Sequence, residues 1–187
     1  MIFEACRCAW EGCIRSVRDA VQALLVLGAT ALSQQRTVRE FVVINLSDRA
    51  DGDGVFQRLA QVLDLIERFD PGRLRRMRRY CKRIYIVPGG ASEGSYWRST
   101  NACALHVNHI LSDSVLSVAM TIVHEAMHAR IELAGIRYVS GRRMRIENAC
   151  VRQELEFAEL VPESGPEMQE ARMALARVCA GNSTGTI

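Results

Sequence analysis

Between Val115 and Ala134 the chain is apolar almost all the way round a helix, yet the same stretch carries His124, Glu125 and His128. A helix with no polar face belongs deep in a core. Burying two imidazoles and a carboxylate there without partners is costly, and any fold for this chain has to answer that cost. A bound cation answers it directly. The histidines stand one turn apart, displaced about 40° around the helix axis and about 6 Å along it. Two rings so placed can converge on one ion.

The run is His124-Glu125-Ala126-Met127-His128, an H-E-x-x-H pattern. With 4 His and 14 Glu among 187 residues, chance supplies on the order of 0.006 such runs. A catalytic zinc site takes three protein ligands and leaves one position open. Glu125 points to a neighbouring azimuth, within reach of a water activated by the metal.

The third ligand follows by elimination. No His follows His128, so the pattern with a third downstream His is excluded. Glu132 lies one more turn along the same helix, too far to chelate. Glu147 stands 19 residues after His128, near the start of the next helix, which can fold back against the first. Glu154 lies two turns further on the same face and is the alternative. Cys150, His106 and His109 are weaker rivals.

The arrangement resembles the zincin metallopeptidases, specifically the gluzincin type, whose third ligand is a Glu on the following helix. The family pattern maps onto His124, Glu125, His128 and Glu147, within residues 102–160. The resemblance implies a metal-activated water cleaving peptide bonds, with Zn2+ as cofactor and a peptide or protein as substrate. It implies an extended substrate along a strand before the active helix, for which Ala102–Asn108 is the candidate. His106 or Asn108 could then contact the substrate. It also implies a side chain that stabilises the oxyanion; Tyr138 is the first candidate, with Arg142 and Arg145 behind it. The chain departs from the family at Val151, four residues after Glu147, where an acidic partner is often found.

The rest of the chain reads as one α+β domain over residues 1–180, with a small mixed or antiparallel sheet of three or four strands and a flexible tail at 181–187. A chain of this length buries roughly 70% of its unfolded surface and needs no disulfide staples. Residues 14–34 read as a helix within an N-terminal helical segment, 1–35. Glu40–Leu46, Arg83–Val87 and Ala102–Val107 read as strands. Residues 47–54 and 89–101 read as loops. Val55–Phe69 has helical periodicity and is broken by Pro71-Gly72. Asp113 or Ser112 is expected to cap the active helix, and Gly135 to end it. A further helix runs from Ser140-Gly141 to Pro162, and the last starts near Pro166.

Seven Cys, scattered and odd in number, do not read as a disulfide framework. The spacing of Cys6, Cys8 and Cys13 matches no usual zinc pattern, so these read as small hydrophobes. Residues 15–32 hold an apolar run too short to span a bilayer. An internal helix, and with it a cytoplasmic chain, is favoured over a signal peptide or membrane association. The net charge of +3 gives no global case for nucleic acid. Within Arg73–Arg83, however, 7 of 11 residues are basic. Leu74, Met77 and Cys81 are expected to face inward and the arginines to ring the exposed side. The alternative function is therefore a non-catalytic zinc protein that binds an anionic partner, a nucleic acid or a membrane surface, through this segment.

Overall fold

The computed structural model describes residues 33–47, 52–89, 92–136, 138 and 140–162, with single positions at 24, 28–30, 169 and 173. The segment 15–32 with its apolar run, the helix expected near Pro166, the tail at 181–187 and Cys6, Cys8, Cys13 and Cys179 lie almost wholly or wholly outside these residues. Among the described residues no helix is long and apolar enough to cross a membrane.

The architecture is α+β, a mixed five-stranded sheet with helices. The strands are β1 (Gln34–Val38), β2 (Phe41–Asn45), β3 (Arg83–Val87), β4 (Gly94–Trp97) and β5 (Ala102–His106). They lie in the order β1-β2-β3-β5-β4. β2, β3 and β5 are parallel, with Ile44 opposite Tyr85 and Tyr85 opposite Ala104. β1 and β4 flank them in antiparallel register.

The sheet has five strands where three or four were expected, two of them beyond the three placed from the sequence. β1 begins where the helix over 14–34 was expected to end, and β4 lies in the expected loop 89–101. β1 joins β2 through Arg39 and Glu40, both with positive φ (45° and 68°). Positive φ at both central residues marks the primed two-residue hairpin turn, normally built from Asn or Gly. Tertiary ties hold the turn instead: Arg39 pairs with Asp64 and Glu67, and Glu40 with Arg78.

The helices are α1 (Gly52–Phe69), α2 (Pro71–Tyr80), α3 (Val107–Ser112), α4 (Val115–Leu133) and α5 (Ser140–Ala158). α2 starts two residues before the basic run because Pro71 suits the first helical turn. Asp70 caps it, accepting from the Arg73 backbone N–H at 2.7 Å. Leu74, Met77 and Cys81 are buried as the periodicity requires. Arg73 departs from that reading, being only 8% exposed.

Side chains alternate across a strand, and both faces of this sheet are apolar. Phe41, Val43, Ile84, Ile86, Cys103 and Leu105 join the helices in the main core. Ile44, Tyr85, Ala102 and Ala104 form a second cluster, with Trp97 stacked on Tyr85 at 5.3 Å.

The chain after β5 does not run directly into the helix that carries His124 and His128. The short α3 intervenes and Asn108 lies in it, so the strand stops at His106. Ser114, rather than Asp113 or Ser112, caps α4, accepting from the Ser117 N–H at 3.0 Å. Gly135 has φ +75°. Its N–H meets the Glu132 carbonyl at 2.9 Å and that of Ile136 meets Ile131 at 3.1 Å, the bond pair of a Schellman end. That stop turns the chain so that α5 packs back along α4.

Candidate metal centre

α4 is buried nearly all round, and His124 and His128 stand on the side that meets α5. Their Nε2 atoms are 3.1 Å apart. Glu147, in the second turn of α5, brings Oε2 to 3.4 Å from the His124 Nε2 and 3.7 Å from the His128 Nε2. Ligands on a tetrahedral zinc at about 2.0–2.2 Å stand about 3.3–3.6 Å from one another. The three donor atoms thus already have the spacing of one face of such a site. Glu132, expected to lie too far along the helix, is engaged elsewhere, paired with Arg98 at 2.7 Å.

Glu154 is placed differently from Glu147. It accepts a hydrogen bond from the Nδ1 side of His124, away from the facing Nε2 atoms. A proton held on Nδ1 leaves the Nε2 lone pair free for a metal and fixes the ring's orientation. The acidic partner missing at Val151 is therefore supplied one turn later on the same helix. Such partners contribute about 10–100-fold to metal affinity. Glu154→Gln should weaken binding by that factor while α5 stays folded. Isothermal titration checks it, and an unchanged dissociation constant would remove Glu154 from this role.

Glu125 is 7% exposed and accepts no hydrogen bond from the described residues. Burial pushes its pKa up, against the pull of His124 and His128. A carboxylate raised in this way is better matched to taking a proton near neutral pH. Tyr138 sits at the rim, its ring edge-on to His128 at 5.8 Å. Its hydroxyl donates to Glu147 Oε1, so it steadies a candidate ligand rather than standing free for an oxyanion. Burial, with Glu147 second, raises its pKa to about 12. Arg142 and Arg145 are exposed. Arg143, not singled out from the sequence, is the arginine that acts on Tyr138.

His109 is buried, with Nδ1 on Asp113 and Nε2 2.9 Å from Thr121 Oγ1, so both ring nitrogens are engaged. His106, at the end of β5, is not brought to the pair. Cys150 is: its Sγ and a nitrogen of each histidine lie within 4.8 Å of one another. Burial, followed by the nearby carboxylates, raises its thiol pKa well above the usual range.

Burial alone would depress the His124 pKa, but Glu147 and Glu154 outweigh it and lift the pKa to about 10. The same contacts with His124 and His128 hold Glu147 well below the usual carboxylate range. A histidine raised from about 6.5 holds its proton in the folded chain after the unfolded chain has lost it. That stabilisation is complete below about pH 6.5 and fades as pH rises through about 10. The metal-free chain should therefore lose urea resistance between pH 7 and 10, and His124→Asn should flatten that slope. Equal slopes for the two proteins would contradict the pairing.

Comparison with models of protein families, with curated proteins and with solved structures finds no match in any of the three.

Proposed function

We propose that the chain is a zinc-dependent hydrolase, a metallopeptidase of the gluzincin type. The observation that carries the reading is the convergence of His124 Nε2, His128 Nε2 and Glu147 Oε2 from two helices, within 3.7 Å of one another. His124, His128 and Glu147 would hold the metal. Bound there, zinc supplies Lewis-acid polarisation of a carbonyl and a lowered pKa for water. Glu125 takes the proton from the attacking water and passes it to the leaving amine. Glu154 keeps the His124 ring in place, and Tyr138 holds the outer oxygen of Glu147.

The substrate would be an extended peptide, but β5 is not the strand that receives it. β3 and β4 already pair with both edges of β5. Among the described residues, the unpaired border on this side of the sheet belongs to β4. β4 also runs close over α4. A Cβ at Gly94 would come within 2.7 Å of Thr121 Cγ2, so glycine is what permits this approach. Thr121 lies one turn before Glu125. Strand addition along β4 would lay a peptide at the border of the sheet that packs over α4.

The test is hydrolysis of an unfolded protein substrate by the full chain. Cleavage should disappear with a chelator and return with added zinc. Cleavage that persists after the chain is stripped of metal would refute the reading.

A second reading is favoured by one observation. Arg75, Arg79, Lys82 and Arg83 are exposed and form no ion pair among the described residues. A non-catalytic chain would use this face for an anionic partner. Salt-dependent binding lost in an Arg75, Arg79 double variant, with no chelator-sensitive cleavage, would select it.

A further inference from the structure

We infer that Glu93, His109 and Asp113 form a second metal site, for a first-row divalent cation such as zinc, which ties the start of β4 to the turn between α3 and α4. The site shares no residue with the His124–His128 pair, so it stands or falls apart from the proposed function. His109 and Asp113 are one helical turn apart at the end of α3, and Glu93 immediately precedes β4. One ligand atom from each of the three side chains lies within 4.8 Å of the other two. His109 is 4% exposed, whereas Glu93 and Asp113 reach solvent at the rim. Among the described residues no lysine or arginine pairs with either carboxylate. Arg58 of α1 reaches this turn but donates to carbonyls, to that of Asp113 at 2.6 Å and that of Ile110 at 3.4 Å. Two acidic side chains thus close over a buried imidazole, with no side-chain cation but the ring itself to balance them.

The hydrogen bonds of the ring suit coordination. A metal-bound histidine gives its other N–H to a fixed acceptor, which sets the tautomer. The His109 Nε2 stands 2.9 Å from Thr121 Oγ1, and that hydroxyl is 3.2 Å from the Ser117 carbonyl. With the ring proton on Nε2, His109 donates to Thr121 and Thr121 donates to Ser117, so the Nδ1 lone pair faces the carboxylates. Without an ion the same atoms are satisfied in the other sense, with the proton on Nδ1 toward Asp113 and the Thr121 hydroxyl turned to Nε2. Coordination therefore moves the ring proton from Nδ1 to Nε2. Ligands at about 2.0–2.2 Å from one zinc stand about 3.3–3.6 Å apart. The His109 Nδ1 and Asp113 Oδ2 are 2.5 Å apart, so the carboxylate must swing outward, and Glu93 must close inward. The Asp113 side chain is 44% exposed and Glu93 is exposed, so both have room to do so. An imidazole nitrogen among the donors disfavours magnesium and calcium and suits zinc and its first-row neighbours.

Nitrogen-15 NMR of the histidine rings in the full chain, followed as zinc is added, tests this on wild-type protein. There are four histidines, and each ring nitrogen reports whether it holds a proton, a lone pair or a metal. His109 should pass from the Nδ1–H to the Nε2–H tautomer, with a coordination shift at Nδ1. Magnesium or calcium at the same concentration should leave it unchanged. Glu93→Gln and Asp113→Asn, both at the rim, should each raise the zinc needed for the His109 response by about tenfold or more. The responses of His124 and His128 should stay as they are in the wild type. A His109 ring that keeps its tautomer while His124 and His128 respond would overturn the inference and leave the proposed metal centre standing. A response at His109 alone would support the inference and remove that centre. No response at any ring would remove both. A His109 response unchanged in Glu93→Gln would overturn the three-residue site.

Discussion

Replacing Glu125 with glutamine is expected to leave the metal bound and to lower hydrolysis by about 10²–10⁴-fold, the usual contribution of a positioned general base. Glutamine keeps the shape of glutamate but cannot accept the proton. It is not one of the three converging donors, so metal affinity should change little. Stability should hold or rise, because burial disfavours the charged form of Glu125 and glutamine carries no charge. Metal analysis, urea unfolding and turnover on one preparation test all three. An active Glu125→Gln chain would exclude the mechanism. Lost activity with lost metal would instead make Glu125 a structural support of the site.

The second large effect is expected at Arg73, outside the site. This arginine sits in the basic run but is buried, and it joins α2 to α5. Its Nε donates to Asp70 at 2.9 Å, and one terminal nitrogen meets the Gln153 carbonyl at 3.1 Å and side-chain oxygen at 3.0 Å. Its guanidinium lies 6.0 Å from the Phe157 ring centre. Arg73→Ala removes the cation and leaves Asp70 and Gln153 short of donors. Breaking a buried pair typically costs about 3–5 kcal/mol. Both side chains keep some solvent contact (10% and 18% exposed), so about 2–4 kcal/mol is expected here. Lysine should restore only part, since it lacks the planar fork that reaches two partners. Gln153 adjoins Glu154, so metal affinity should fall along with stability. A urea midpoint equal to that of the wild type would show that the contacts contribute nothing net.

Arg73 also shows where sequence reading stops. Seven basic residues in eleven suggest a solvated face, and for Arg75, Arg76 and Arg79 that reading agrees with the structure. Helical periodicity alone cannot foresee that Gln153, eighty residues on, offers two oxygens to one of them. β2, β3 and β5 were legible because their residues are β-rich and bounded by turn residues. β1 was hidden because its residues are polar and its turn is Arg39-Glu40 rather than Asn-Gly. β4 was hidden inside a Gly/Ser-rich stretch. In the site, the i, i+4 histidines identify themselves. The spacing of Glu147, Cys150 and Glu154 shows that they share a face, but not which partner each meets. That depends on how the Gly135 turn sets α5 against α4, which fixes their packing and is not written in the periodicity.

The two borders of the sheet differ in a way that bears on solubility. β1 is mostly exposed and carries Gln34, Gln35, Arg36 and Thr37. Such polar borders resist pairing with another chain. β4 is Gly-Ser-Tyr-Trp, uncharged and only partly buried. If this chain self-associates strand to strand, β4 is the border open to it. On the proposed reading that is the same border a substrate would occupy. Peptide binding and protection from aggregation would then be one event, and an excess of bound peptide would act as a solubiliser.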